Sequence, residues 1–329
     1  MIRICLILVL FIFPLLAQAA CVEPLPNRNQ IPTASIFLEL TGLSPCVLPV
    51  GKFQMLVSGQ VSNTSLIRDE PDAHLLIDFE RRETRLVLRR GLPGENDLSL
   101  EIGYVWFSGG STDNFIDEYH EIIGRDPGNR KRRPRDQFEY FLSQESGGQS
   151  LRITDPPSGA TEPVLTFRHQ ASSFVLGFGL KVRWGWRVAF KLPIGDPSPV
   201  ISSRKPDVGG GLMFDTTLDT LLGPFGMFGN LGAAYISETD AAIFQIRRLV
   251  PMGTAGISKA VAEGVTLLLQ SQLIGSRHKH PILDRPQNIL IFGAQIHLGG
   301  HLISVAFSED PNTASEDAGL LIAYTSKPF

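Results

Sequence analysis

The chain has 329 residues, enough for one large barrel or for two ordinary domains. Its formal net charge of -3 is too small to create the long-range field that attracts nucleic acid, so we expect no nucleic-acid partner. Composition does not separate a soluble protein from a membrane barrel, because barrel strands alternate apolar and polar residues and never form a long apolar run.

The N-terminus has the three parts of an export signal. Arg3 supplies a positive charge, "ICLILVLFIFPLLAQ" supplies an apolar core, and "AQA" ending at Ala19 supplies small residues for cleavage. We therefore predict a signal peptide over residues 1–19, cleaved near Ala19. A lipoprotein anchor at Cys21 is the alternative, but Gln18 stands where a lipobox usually carries an aliphatic residue.

Two cysteines remain after the signal peptide, Cys21 and Cys46. In an oxidising compartment an isolated pair favours a disulfide, which would tie an N-terminal segment, residues 20–52, to the start of the fold. Cysteines and histidines do not cluster with the spacing of metal ligands, so we predict neither a metal site nor a cofactor.

The remaining chain, residues 53–329, repeats one pattern, in which every second residue is apolar. It is clear in "FQMLVSGQV" from Phe53, "LSLEIGYVW" from Leu98 and "ILIFGAQIHL" from Ile289. Tight turns such as "HLGGHL" alternate with long connections such as "GSRHKHPILDRPQN", as in an up-and-down meander. We predict an all-β, antiparallel up-and-down transmembrane barrel of twelve strands, or of fourteen if residues 36–42 and 53–62 also cross.

An insertion at about residues 109–170 breaks this alternation. Within it, "STDNFIDEYHEIIG" has apolar residues at helical spacing and ends at Gly124, which predicts an amphipathic helix. The loop "RDPGNRKRRPRDQF" follows and is dense in arginine. Because an apolar helical stripe must be buried, we expect the insertion to pack on the barrel, plug its external mouth or touch lipid.

The strand "KVRWGWRVAFKL" has two contrasting faces. Trp184 and Trp186 lie on an apolar face that we expect to meet lipid. The opposite face carries a predicted lumenal charge ladder: Lys181, Arg183, Arg187 and Lys191. Four cations are too many for a dry core. They indicate water with carboxylate partners on neighbouring strands, which we favour, or an anionic guest.

Several segments resemble a known family. "ERRETRLVLRRGLPGENDLSLEIGYVWFSGGSTDNFIDEYHEIIG", "NRKRRPRDQF" and "WRVAFKLPIG" together resemble an uncharacterised bacterial family, a domain of unknown function predicted to form outer-membrane β-barrels. The resemblance covers most of the chain after residue 20. It implies architecture and a location in the outer membrane, but it carries no established activity.

The C-terminus agrees with this resemblance in part. Outer-membrane barrels typically end in an aromatic residue on an amphipathic strand, and Phe329 is the last residue. However, Phe329 is out of phase with Tyr324, and Pro328 has no N–H for a strand ladder.

Two motifs of the insertion suggest chemistry. Asp117, His120 and Glu121 share the predicted helix, where a carboxylate could orient the histidine toward a nearby serine, although helix capping and surface hydrogen bonds explain them more simply. The second motif is a candidate phosphate-binding loop: Arg130, Arg132, Arg133 and Arg135.

These features support three functions for an outer-membrane barrel. The leading hypothesis is a passive channel or transporter for small molecules with a cationic lumenal face. The alternatives are a structural or lipopolysaccharide-binding envelope barrel and a membrane-embedded lipid hydrolase that uses the His120 region. We expect contacts with outer-membrane lipids, including lipopolysaccharide, and with the barrel-assembly machinery.

Overall fold

The computed structural model describes residues 21–110, 134–177, 180–218, 225–311 and 317–329, together with Thr112, Asn114, Glu118, Glu121 and Thr220. The predicted signal peptide lies outside the described residues. In the described part, one helix, α1 (Pro32–Ser35), precedes a single sheet of fifteen strands. The strands are β1 (Phe53–Glu70), β2 (Ala73–Leu92), β3 (Asn96–Ser108), β4 (Glu139–Gln144), β5 (Gln149–Ile153), β6 (Ser158–Ala160), β7 (Val164–Val175), β8 (Lys181–Lys191), β9 (Asp207–Leu218), β10 (Phe225–Tyr235), β11 (Leu249–Ala262), β12 (Val265–Ile274), β13 (Gln287–Leu298), β14 (His301–Glu309) and β15 (Ala318–Thr325).

Twelve of these strands close into a barrel. The ring runs β1, β2, β3 and then β7 to β15, and it closes because β15 pairs antiparallel with β1. Every neighbouring pair in the ring is antiparallel, so the predicted all-β antiparallel barrel of twelve strands is confirmed.

The number of ring strands agrees with the sequence prediction, but the segments that form them differ from the predicted ones. Residues 53–62 do cross, as the first half of β1, whereas residues 36–42 do not belong to a strand. The total remains twelve because residues 73–80 and 83–91, which the alternation predicts as two separate strands, form one long strand, β2. Here the fourteen-strand alternative fails because residues 36–42 run inside the barrel.

The remaining three strands extend the barrel at one end. β1 and β2 continue beyond the ring as a hairpin, and β4 pairs with the upper part of β2 from Ala73 to Asp78. β5 pairs with β4. β6 pairs with β3 at Tyr104 to Trp106, beyond Val164, where β7 begins. We call the end that carries these extra strands the loop end of the barrel. All its connections between ring strands are long, except the tight turn between β1 and β2. The opposite, turn end has shorter connections, such as Gly299-Gly300.

The two faces of the wall differ as the alternation predicts. Outward residues form an exposed apolar belt that includes Leu98, Leu100, Ile102, Trp106, Trp186, Val188, Phe190, Leu231, Leu269, Leu273, Leu320 and Ile322. Inward residues are mostly polar or charged and buried, among them Ser58, Gln60, Ser62, Arg81, Glu83, Arg85, Arg168, Asp207, Asp215, Gln270, Gln272 and Ser304. An apolar outer belt around a polar interior is the arrangement of a barrel that stands in lipid.

The C-terminal residues extend the seam between β15 and β1. Ser326 donates its N–H to the carbonyl of Met55, while Phe329 and Phe53 exchange two backbone hydrogen bonds of 2.9 Å. The pairing shifts by one residue between these contacts, so Pro328 lies at an irregularity where no N–H is required. Among the described residues, no helix is long and apolar enough to cross a membrane.

Candidate functional site: the lumen and its N-terminal plug

The lumen is occupied by the N-terminal segment of the same chain. We call residues 21–50 the plug. They start in the half of the barrel nearer the turn end, run toward the loop end, turn at α1 and return to the turn end. Most plug residues are buried, including Leu25, Asn29, Ile31 and Phe37. The barrel is therefore a filled cylinder rather than an open pore.

The sequence of the plug explains why it adopts almost no regular structure. It contains five prolines: Pro24, Pro26, Pro32, Pro45 and Pro49. Proline fixes an extended backbone and removes a donor, so the plug neither joins the sheet nor forms a long helix. Its buried N–H and C=O groups must then be satisfied by side chains of the wall.

The first leg of the plug, residues 21–31, is held by amides and charges of the wall. The Leu25 N–H donates to Gln270 at 3.0 Å, and the Gln60 amide donates to the Arg28 carbonyl at 2.9 Å. Arg28 also forms an ion pair of 2.7 Å with Glu101. These contacts provide partners for two backbone groups and for the one arginine of this leg.

The second leg, residues 36–50, is held in the same way from the other side of the barrel. Lys191 donates to the Ile36 carbonyl at 2.7 Å, and the Leu38 N–H donates to Asp207 at 2.9 Å. Asn230 makes two hydrogen bonds of 3.0 Å with the backbone of Leu43. Across both legs, the side chains that bind the plug come from β1, β2, β3 and β7 to β13.

A disulfide joins the two legs near the turn end. Cys21 and Cys46 are bonded, with their Cα atoms 6.3 Å apart. The adjacent residues are fixed to the wall, because the Val22 N–H donates to Asp215 at 3.1 Å and Arg89 donates to the Cys46 carbonyl. The plug is thus a closed loop inserted into the barrel.

The tip of the plug packs under the loop end. Ile31 and Ala34 belong to an apolar cluster with Leu75, Ile77, Phe79, Val105, Phe107, Tyr140, Leu142, Val200, Ile201, Phe244, Ile282 and Leu283. We call this cluster the cap. His278, in the connection from β12 to β13, donates from Nε2 to the Thr33 carbonyl at 2.9 Å. Burial lowers the pKa of His278 to about 4, so the ring is neutral at pH 7.

Beside the plug, a cavity of about 270 Å³ remains. It lies between both legs of the plug and the wall, and it reaches the turn end at Gly300 and Ser326. Five arginines and three glutamates line it: Arg28, Arg85, Arg89, Arg168, Arg187, Glu23, Glu39 and Glu101. A charged cavity of this kind holds water or a polar solute.

A family model described as protein of unknown function (DUF3187) matches residues 1–327. The chain belongs to this family. The resemblance stated from sequence is thereby confirmed, and the family description assigns no activity. No curated protein matches the chain.

Solved structures with a similar fold are outer-membrane proteins. An outer-membrane channel from Pseudomonas putida F1 is 12% identical, with a TM-score of 0.55 over 88% of this chain and 100% of that chain. The NanC porin is 11% identical, with a TM-score of 0.41 over 83% and 97% of the two chains. The translocator domain of the autotransporter NalP from Neisseria meningitidis is 8% identical, with a TM-score of 0.39 over 85% and 89%.

The fold shared with the Pseudomonas putida channel agrees with the closed ring and the apolar belt. A closed barrel leaves no unpaired strand edge in lipid, and the belt supplies the apolar surface that lipid requires. The protein is an integral β-barrel of the outer membrane, and its belt contacts the membrane lipids.

The four predicted cations of β8 occupy different environments. Arg183 faces inward and pairs with Asp215, and Lys191 is buried between Glu162 at 2.6 Å and Asp207 at 3.1 Å. Arg187 is buried and lines the cavity. Lys181, in contrast, is exposed at the turn end of β8. Three of the four residues therefore lie inside the barrel. Arg187 and Lys191 contact the backbone of the plug, and Arg183 pairs with a carboxylate of the wall.

The predicted motifs of the insertion fall largely outside the described residues. Asp117 and His120 lie outside them, and so do Arg130, Arg132 and Arg133. Asn114, Glu118 and Glu121 have helical backbone and are exposed, where the sequence predicts the helix. Arg135 is exposed and donates to Asn114. The lipopolysaccharide-binding and lipid-hydrolase hypotheses, which depend on these motifs, stay predictions.

Sequence reasoning missed the plug. It treated residues 20–52 as an N-terminal segment tied to the start of the fold by a disulfide, and it considered only the insertion as something that could close the barrel. A signal was present in the composition, since four prolines interrupt an irregular series of apolar residues between the two cysteines. The inward glutamines Gln60 and Gln270 were a second signal, because both are buried and their amides bind backbone groups of the plug instead of solvent.

Proposed function

We propose that the protein is an outer-membrane channel for small molecules that its N-terminal plug holds closed. The observation that carries the proposal is the plug itself, a loop of the same chain that fills the lumen through polar contacts. A barrel with a purely structural role fills its interior with its own wall side chains. Here the inward residues of the wall are mostly polar, and the lumen is large enough to hold both legs of the plug side by side.

The contacts between plug and wall suit a closure that is reversible. Most of the bonds that hold the plug join side-chain groups of the wall to its backbone, and each contributes only about 1 kcal/mol because water offers the same groups a replacement. Displacement of the plug would expose polar wall residues, which tolerate water. The apolar clusters around Leu25 and Phe37 set the main cost of opening.

The channel would favour polar or anionic solutes, because one side of the lumen is cationic. Arg85, Arg89, Arg168 and Arg187 project from β2, β7 and β8 toward the cavity beside the plug. Arginines on one side of a pore favour anionic or polar solutes through the field that they create.

Conductance in planar bilayers tests this function. We expect the intact, oxidised protein to show low conductance, and a variant that lacks residues 21–50 to show stable steps of higher conductance. Heat-modifiable migration on a gel would show that the shortened barrel is folded. A folded barrel that stays closed without its plug would contradict the proposal.

A further inference from the structure

Arg187 is the starting point, because its charge has no carboxylate partner in the described part of the chain. The side chain is 4% exposed and lines the cavity. One terminal nitrogen donates to the carbonyl of Thr41 in the plug, and Nε is buried without a hydrogen-bond partner. A guanidinium removed from water in this way is costly unless an anion approaches it.

The other arginines of the cavity are all paired. Arg28 contacts Glu101 at 2.7 Å, and Arg85 lies 3.9 Å from both Glu83 and Glu101. Arg89 and Arg168 both bind Asp97, each at 2.7 Å. Arg187 therefore differs from the other arginines of the cavity, because no carboxylate of the described wall compensates its positive charge.

The surroundings of Arg187 increase this excess of positive charge. Arg168 lies directly opposite Arg187 in the pairing of β7 with β8. Its partner Asp97 binds both Arg89 and Arg168, so this carboxylate is already engaged by two arginines and is not paired with Arg187. Like charges on opposed residues of neighbouring strands repel unless an anion lies between them.

We propose that the cavity binds a small organic monoanion whose carboxylate is held by Arg187, beside Arg168. The planar guanidinium offers a fork of N–H donors that matches a carboxylate. Glu23 and Glu101 line the same cavity and would repel a second negative charge, so a monoanion fits better than a dianion. The inference deepens the proposed function, on which it rests for the role of the ligand as a transported solute.

The other residues that line the cavity restrict the size and polarity of the part of the ligand that carries the carboxylate. Leu40, Leu43, Leu56, Val87 and Leu302 contribute apolar surface to the cavity, whose volume is about 270 Å³. Small-molecule sites combine such apolar lining with a few polar anchors. A compact carboxylate with a short apolar or aromatic body matches both features.

Titration of the intact, folded protein in nonionic detergent at low salt tests the site. Benzoate is the probe, while benzamide and benzylammonium have the same body without the negative charge. We expect saturable binding of benzoate, and at least tenfold weaker binding of the other two and of inorganic phosphate at pH 8. Equal binding of benzoate and benzamide, or no binding of benzoate, would overturn the proposal.

Variants locate the site. Arg187→Met should weaken benzoate binding at least tenfold, while Arg187→Lys, which keeps the charge and loses the fork, should weaken it less. Arg90→Gln is the matched control, because Arg90 lies on the outer face of β2 over the ring of Phe53. Unchanged binding in folded Arg187→Met would overturn the assignment. If that variant does not fold, the comparison of benzoate with benzamide on the wild-type protein decides alone.

The result of the benzoate titration is independent of the result of the conductance experiment. Benzoate binding to a barrel that never conducts would refute the proposed function and leave the site standing. A plug-free barrel that conducts, from a protein that does not bind benzoate, would refute the site and leave the channel standing.

Discussion

At the scale of single residues, the interior of this barrel contains many charged side chains, and the partners of each one decide how much it contributes to stability. Lys191 illustrates a fully paired cation, since its Nζ contacts Glu162, Asp207 and the Ile36 carbonyl. Arg187, four residues earlier on the same face of β8, has only the Thr41 carbonyl. Sequence patterning treats the two as equivalent, and their environments separate them.

This contrast predicts different costs of removal. Lys191→Met leaves two buried carboxylates without their cation and should lower the free energy of unfolding by about 3–5 kcal/mol. Arg187→Met removes a charge that has no carboxylate partner and should cost only about 1 kcal/mol. Urea unfolding of the refolded variants in detergent measures both values. Equal costs would contradict the assigned pairing.

His278 predicts a dependence of stability on pH. Its pKa is about 4 in the folded protein, below the ordinary value near 6.5, because burial disfavours the charged ring. Between these two pH values the unfolded state binds the proton and the folded state does not, so stability falls as the pH is lowered from about 6.5 to 4. At about 1.4 kcal/mol per pH unit, the full loss is on the order of 3 kcal/mol.

The measurement is the urea midpoint at pH 7.5, 5.5 and 4.5. His278→Gln keeps a donor for the Thr33 carbonyl and cannot titrate, so its midpoint should fall less over this range. His301→Gln, at a half-exposed position on β14, is the matched control and should follow the wild-type profile. A wild-type midpoint that is constant from pH 7.5 to 4.5 would argue against a buried neutral His278.

At the scale of elements, the plug behaves as a loop closed by one covalent bond. Cys21 and Cys46 are 25 residues apart, and a crosslink over that separation stabilises by about 3 kcal/mol in the chain-entropy description. Cys21→Ser with Cys46→Ser should therefore increase proteolysis within residues 21–50 several-fold, while the barrel stays heat-modifiable. Identical cleavage rates in the oxidised protein and the double variant would mean that the wall alone fixes the plug.

The belt makes a prediction that depends on depth. Leu231 lies near the middle of β10 on the outer face, and Leu249 lies at the loop end of β11, opposite Tyr235. Arginine at the midplane of a lipid-facing strand costs about 2–4 kcal/mol, against about 0–1 near the interface. In lipid vesicles, Leu231→Arg should destabilise the barrel more than Leu249→Arg. The reverse order would contradict the position of the membrane along the strands.

At the scale of the whole molecule, the sequence predicts the wall better than the contents. The wall is readable because a period of two residues assigns each strand and each face, as in β8, where Trp186 faces out and Arg187 faces in. The plug has no period, and its partners lie on ten different strands far away in sequence. An expectation for residues 20–52 could not be drawn from spacing, because side-chain contacts with the backbone, such as Asn230 with Leu43, leave no local pattern.

The central claim is that residues 21–50 lie inside the barrel, and hydrogen–deuterium exchange of the intact protein tests it most directly. The N–H groups of Leu25, Leu38 and Leu43 belong to no helix or strand, yet each donates to a buried wall side chain. We predict that peptides from the plug exchange as slowly as those from β12, and far more slowly than the exposed turn at residues 145–148. Plug peptides that exchange as fast as that turn would place the segment outside the lumen and contradict the account.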